Sequence, residues 1–202
     1  MPLWLAPQPL VLASQSHVRR TLLEAARLPV EIKPASLDER AIEMRAGPIG
    51  PAKAAALLAR EKALSVAAGM PGRIVLGADQ TLALGDQRFS KPKDRAGARE
   101  QLKALRGKTH QLHSAIAVAR DGEILFEHVD DARLTMRDFS DAFLESYLGE
   151  AGDAVAASVG GYQLESVGIQ LFENIEGSHF TILGLPLLPL LHWLRQNGLL
   201  AA

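Results

Sequence analysis

Residues 10–20 read LVLASQSHVRR. Leu10 to Ala13 predicts a short buried strand, and Ser16 to Leu28 predicts a helix with Val18, Leu22, Leu23 and Ala26 on one face. Ser14 or Ser16 is the natural N-cap. A strand that feeds a helix aims unpaired backbone N–H groups and the positive end of the helix dipole at one point, which favours a phosphate. Ser14 and Ser16 can donate hydroxyls there, and Arg19 or Arg20 can grip phosphate oxygens bidentately. Taken alone, the stretch also reads as a plain N-cap with two solvated arginines, the commoner case.

The same strand, turn, helix rhythm continues outward. Val30 to Lys33 reads as extended, SLDERAIE at 36–43 as an acidic loop, and an Ala/Leu-rich helix runs from Pro51 to about Ala68 before Gly69 to Gly72 ends it. A second buried strand starts at Ile74 to Leu76, ends at Gly77-Ala78-Asp79 and resumes at Thr81 to Leu84. Gly85-Asp86-Gln87 turns the chain back, and Asp94 caps a helix that closes at Gly107 with Ala96, Leu102 and Leu105 inward. Thr109 to Arg120 and Glu123 to Met136 form a hairpin around Asp121-Gly122. Ser140 caps an amphipathic helix with Phe143, Leu144, Tyr147 and Leu148 on its apolar side. A loop at Gly160-Gly161, a strand near Val167 to Phe172 and a helix from Pro186 complete the chain. Crossovers mixed with hairpins predict an α/β fold with a mixed sheet. No repeat, low-complexity segment or linker interrupts residues 1–202, which read as one domain.

The 202 residues are 48% hydrophobic, ample for a buried core. With 22 basic and 23 acidic residues the formal charge is -1, so no global field draws the chain to nucleic acid or an anionic membrane, and any anion site must be local. The absence of cysteine excludes a disulfide framework, a thiol nucleophile and Cys-ligated zinc, and fits the cytoplasm. The opening MPLWLAPQPLVLAS has no basic n-region and runs into a predicted strand, so it reads as mature protein. Ile182 to Leu194 is interrupted by Gly184, Pro186, Pro189 and His192 and is too short to span a membrane.

Four further residues can carry chemistry. Lys62 sits beside Leu58, Ala59, Ser65 and Val66, a mostly apolar helix side, where it either snorkels to water or meets phosphate. Asp79 ends a buried strand, where α/β sheets place ligand sites, although turn aspartates occupy such positions too. Lys91 is fixed near a hairpin by Pro92. Glu39, in the acidic loop beside a solvated Asp38, can join Asp79 on a divalent cation. Carboxylates together with phosphate-binding cations point to Mg2+.

Other chemistries are excluded. His110 and His113 lie three apart on a predicted strand and face opposite sides, so no zinc set is evident. Gly107-Lys108-Thr109 imitates the end of a phosphate-binding loop, but Leu102 stands where its first glycine belongs. GxSxG is absent, and no Ser/His/Asp grouping stands out.

Together these residues resemble the Maf family of nucleoside triphosphate pyrophosphatases, whose opening motif is approximately S-x-S-P-(R or W)-R. Ser14, Ser16 and Arg19 match it, while His17 replaces the proline and Val18 the variable residue. The resemblance continues through Asp38-Glu39, Arg60-Glu61-Lys62-Ala63, Gly77-Ala78-Asp79, Lys91-Pro92, Gly107-Lys108-Thr109-His110, Ile175-Glu176-Gly177 and Gly184-Leu185-Pro186, in order over almost the whole chain. It implies an elongated mixed sheet flanked by helices with a central cleft, similar to inosine triphosphate pyrophosphatases and often dimeric. The implied reaction is hydrolysis of a nucleoside triphosphate to monophosphate and diphosphate with a divalent metal. Carried onto this chain, Arg19, Lys62 and Lys91 would hold the triphosphate, Ser14 would help seat it, Glu39 and Asp79 would serve metal and water, and Asp79 would be the general base.

The base is less directly legible. Gln80 after Asp79, and Glu165 within Gly161-Tyr-Gln-Leu-Glu-Ser166, resemble the branch that acts on 7-methyl-GTP rather than the dTTP/UTP branch. A carboxylate at Glu165 suits the N1–H and N2–H donors of guanine. Val18 matches neither the tryptophan of the first branch nor the arginine of the second. A dTTP/UTP pyrophosphatase and a nucleotide-binding regulator of division or septation are the competing readings.

Overall fold

The computed structural model describes residues 2–202. Its strands are β1 (Leu10–Leu12), β2 (Val30–Ile32), β3 (Val75–Leu84), β4 (Gln87–Phe89), β5 (Thr109–Arg120), β6 (Glu123–Met136) and β7 (Phe172–Glu176). The helices are α1 (His17–Ala25), α2 (Glu39–Ala46), α3 (Pro51–Ala67), α4 (Arg95–Leu105), α5 (Asp141–Ala151), α6 (His179–Ile182) and α7 (Leu187–Gln196). The strands form one sheet in the order β2-β1-β3-β5-β6-β7, with β4 pairing β3. β1 runs parallel to β2 and β3, whereas β3 with β4 and β6 with β7 are antiparallel, so the expected α/β class with a mixed sheet is observed.

The chain divides into two compact units. One takes the chain through Gln80 together with His113–Asp130 and His179–Ala202; the other comprises Thr81–Leu112 and Asp131–Ser178. In the first, the period-2 alternation of strand side chains sorts the core into two faces. Leu10, Leu12, Leu76 and Ala78 pack with Leu23, Leu185, Leu190, Trp193 and Leu194. Val11, Ala13 and Val75 pack on Ala55, Ala59, Ala63 and Val66 of α3. The approach of α3 is closest at Gly77, where an added Cβ would lie 2.1 Å from the Ala59 carbonyl oxygen and 2.7 Å from the Ala63 nitrogen. Only glycine admits that distance.

In the second unit Ala98, Leu102 and Leu105 of α4 and Leu144 and Leu148 of α5 are buried. The Tyr147 hydroxyl donates to the Gly161 carbonyl at 3.0 Å, and His110 Nε2 pairs with the Tyr162 hydroxyl at 2.7 Å. In the first unit, Asp121 and Gly122, the turn residues of the β5–β6 hairpin, both take the positive φ that such a two-residue turn requires.

Several elements differ from the sequence expectation. β3 is not broken after Asp79, because antiparallel pairing with β4 (Leu82 on Phe89) carries it on to Leu84. Asp79 therefore lies inside a ten-residue strand rather than at its end. Glu39 begins a helix instead of lying in a loop: Asp38 Oδ1 accepts from Ala41 N at 3.0 Å and caps α2. α1 stops at Ala25, short of Leu28, where Arg27 adopts φ 59° and turns the chain toward β2. Ala98, not Ala96, shares the inward face of α4 with Leu102 and Leu105, the 98, 102, 105 spacing of one helical stripe. The strand expected near Val167 to Phe172 starts only at Phe172; before it, Gly168 presses on the Gln163 backbone in a short 3₁₀ turn.

Candidate active site

β1 ends at Leu12, opposite Leu76, while β3 runs on. Residues 77–80 thus lose β1 as a neighbour, and helices and their side chains reach them instead. Alternation sends Gly77 and Asp79 toward α3, and Ala78 and Gln80 toward the opposite face.

On the α3 face, Lys62 does not snorkel to water. Its Nζ donates to Asp79 Oδ1 at 2.7 Å and pairs with Glu39 Oε1 at 2.8 Å. Lys62 and Asp79 are each only 13% exposed, whereas Glu39 is about half exposed. Packing at Gly77 puts Lys62, one turn along α3 from Ala59 and next to Ala63, within reach of Asp79. Burial raises the Asp79 pKa above its ordinary value; the Lys62 and Arg19 charges and the Lys62 hydrogen bond oppose the rise, and Glu39 adds to it.

On α1, Ser16 Oγ accepts from Arg19 N and caps the helix, so of the two serines open from sequence Ser16 is the cap. Ser14 Oγ accepts from Ser16 N at 3.2 Å and from Arg19 Nη1 at 3.1 Å. Arg19 is buried; its Nε donates to the Gly184 carbonyl at 2.8 Å and its Nη1 to the Ala78 carbonyl at 2.8 Å. Burial lowers the Arg19 pKa from its ordinary value, and the charges of Asp79 and Glu39 oppose that, so the guanidinium shares a field with both carboxylates. Arg20 is half exposed and pairs with Glu24 one turn along, which makes it the solvated arginine of the two.

The first unit thus brings together Ser14, Ser16, Arg19, Glu39, Lys62 and Asp79. Val18 is half-buried on α1. Gln80 bonds on the other face, with Nε2 2.8 Å from Ser114 Oγ and 3.0 Å from the carbonyls of both Thr181 and Ile182. Lys91 and Glu165 belong to the second unit, where both are exposed, Lys91 between β4 and α4 and Glu165 in a turn before the 3₁₀ segment. Sequence reasoning missed the carbonyls of Ala78 and Gly184 as the clamp on Arg19, and missed Ser114 and Thr181 altogether. Gly184-Leu185-Pro186 had marked the segment, but backbone acceptors leave no side-chain signature.

Glu39 and Asp79 converge on one ammonium, so they form a paired oxygen donor set of the kind a hard divalent cation takes together with phosphate oxygens and water. Among the described residues no group of three or more His, Cys, Asp or Glu side chains is placed to hold a metal by itself. No helix among them is long and apolar enough to cross a membrane.

A family model described as Maf-like protein matches residues 9–197. The chain is 57% identical over 201 residues, all of both chains, to a nucleoside triphosphate pyrophosphatase of Rhodopseudomonas palustris (strain BisB18). It is 51% identical over 191 residues, 94% of this chain and 96% of the relative, to a 7-methyl-GTP pyrophosphatase of Rhizobium etli. Among solved structures, a HAM1 protein from Coxiella burnetii aligns with a TM-score of 0.45 at 17% identity, covering 65% of this chain and 74% of that one.

Proposed function

This chain belongs to the Maf-like protein family, and on that footing we propose that it hydrolyses 7-methyl-GTP or another guanine-type nucleoside triphosphate to the monophosphate and diphosphate. It is a nucleoside triphosphate pyrophosphatase by its relatives, several of them more than half identical over the whole chain. The relative named for 7-methyl-GTP supports the choice of base.

The observation that carries the catalytic reading is Lys62 bridging Asp79 and Glu39 while the charges of both act on Arg19. Water attacks the α-phosphorus; its oxygen forms the new P–O bond as the bond to the α–β bridging oxygen breaks, and diphosphate leaves with that oxygen. Asp79 takes the proton from the water. A carboxylate raised above its ordinary pKa is a stronger acceptor once ionised, and Lys62 and Arg19 favour the ionised form. Arg19, Lys62 and Lys91 bind triphosphate oxygens, and Ser14 and Ser16 contribute hydroxyls at the start of α1. Glu39 and Asp79 would hold a divalent cation such as Mg2+. When bound, that cation would neutralise charge on the phosphates and on the departing diphosphate. Glu165, with Val18 and Gln80, reads the base.

The reading includes a cytoplasmic enzyme that acts as a homodimer on free nucleotides, and the cysteine-free composition supports that compartment. Diphosphate release from 7-methyl-GTP, GTP, dTTP and UTP with Mg2+ tests it. The highest kcat/KM is expected for 7-methyl-GTP. A higher value for dTTP or UTP would move the substrate to pyrimidines, and binding without turnover across the panel would make the protein a nucleotide-binding regulator.

A further inference from the structure

Two loops of the second unit carry proposed substrate contacts, Lys91 in one and Glu165 in the other, and both are fastened to α4. Lys91 and Glu165 are exposed, so neither side chain is held by burial. Their backbones are held instead. At the start of α4, Asp94 Oδ1 accepts from Gly97 N at 2.8 Å, and Pro92 packs on Gly97, whose added Cβ would lie 3.5 Å from the Pro92 Cβ. Gly161 packs on Ala98 of the same helix, where an added Cβ would lie 3.3 Å from the Ala98 Cβ.

Gln101, one turn along α4 from Ala98, joins the two loops. Its Nε2 donates at 2.8 Å to the carbonyl of Ser90, the residue before Lys91, and its Oε1 accepts from Gly160 N at 3.1 Å. A backbone carbonyl only accepts and a backbone N–H only donates, so these partners fix which way the Gln101 amide faces. From Gly160 the chain stays anchored up to the turn that bears Glu165. The Gly161 carbonyl accepts from the Tyr147 hydroxyl at 3.0 Å, the Tyr162 hydroxyl pairs with His110 Nε2 at 2.7 Å, and the Gln163 carbonyl accepts from Ser166 N at 3.3 Å.

We infer that Gln101 is a positioning residue whose side-chain amide holds the Lys91 loop and the Glu165 loop in fixed relation on α4, so that the phosphate contact and the base contact are set together. This rests on the readings of Lys91 as a triphosphate ligand and of Glu165 as a base-reading residue. A side-chain amide of this length suits the task because it offers one donor end and one acceptor end. A carboxylate has acceptors only, an ammonium has donors only, and asparagine is one methylene shorter.

Inorganic tripolyphosphate has phosphates but no base, so its inhibition constant against GTP hydrolysis reads the Lys91 side. The ratio of kcat/KM for GTP to that for UTP, which carry the same triphosphate, reads the Glu165 side. Gln101→Met keeps the length and helix propensity of the side chain and removes both hydrogen bonds. It is expected to raise the constant about threefold and to lower the ratio about threefold. Gln101→Glu keeps the acceptor for Gly160 N and loses the donor for the Ser90 carbonyl, so the ratio should return to the wild-type value while the constant stays raised. Its added charge faces the same triphosphate in both nucleotides and cancels in the ratio, whereas general loosening of the fold would move both quantities together. Lys91→Met, expected to raise the constant about tenfold, and Glu165→Gln, expected to lower the ratio, check the two underlying readings. If both respond, the link alone is overturned when Gln101→Met changes neither quantity or only one, or when Gln101→Glu does not restore the ratio. An unchanged constant in Lys91→Met, or an unchanged ratio in Glu165→Gln, overturns that reading and the link with it.

Discussion

Lys62 Nζ lies 2.7 Å from Asp79 Oδ1, across the contact where α3 touches β3. Both side chains are 13% exposed, so each is the main compensation for the other's burial. Lys62→Met keeps the length of the side chain and removes the charge. It leaves Asp79 buried beside its like-charged neighbour Glu39, and is expected to cost about 2 kcal/mol of stability. Urea unfolding at neutral pH measures this, and turnover should fall with it if Lys62 binds phosphate as proposed.

Gly77 allows the contact that forms this pair. Gly77→Ala places a Cβ 2.1 Å from the Ala59 carbonyl oxygen, a backbone atom that cannot rotate away. α3 must retreat, and a loss of about 3 kcal/mol is expected together with reduced activity. Gly149→Ala is the matching control: it is exposed in α5 with nothing near its added Cβ, and should stabilise the protein by about 0.5–1 kcal/mol.

His110, in the second unit, supplies a separate pH dependence. It is fully buried, its Nε2 pairs with the Tyr162 hydroxyl, and burial pushes its pKa down to about 4. An unfolded histidine takes its proton near pH 6.5, so between 6.5 and 4 the unfolded chain binds more protons and stability falls as pH drops. Below about 4 the folded histidine also protonates and this contribution levels off. Its size across the window is about 3 kcal/mol. Unfolding at pH 7 and pH 4.5 checks it: His110→Gln should lose that part of the difference.

Glu165 should govern the choice of base. Glu165→Gln replaces two acceptor oxygens with one acceptor and one donor, and is expected to lower kcat/KM for guanine nucleotides about tenfold while affecting UTP less. Equal losses for GTP and UTP would remove Glu165 from base reading.

Much of the architecture was legible because it depends on local chemistry. Asp121-Gly122 defined the long hairpin, and Ser16, Asp94 and Ser140 each cap the helix that sequence assigned to them. What escaped was partly a pairing or a cap that the apolar pattern does not mark, and partly contacts with partners distant in sequence. β3 continues past Asp79 because β4 pairs with it, and Asp38 turns an acidic stretch into a helix by capping it. Lys62 illustrates both sides. Its apolar neighbours on α3 marked it as unusual, but its two carboxylate partners come from α2 and β3. The clamp on Arg19 was least visible, since two of its three acceptors are backbone carbonyls.

Asp79 is proposed to accept the proton of the attacking water, a role that Asp79→Asn removes. Asparagine keeps the shape and removes the basicity, so thermal unfolding should show a retained fold. Hydrolysis of 7-methyl-GTP to 7-methyl-GMP and diphosphate with Mg2+ should fall by about a hundredfold or more in kcat. A variant that folds and turns over near the wild-type rate would remove Asp79 from the role of base.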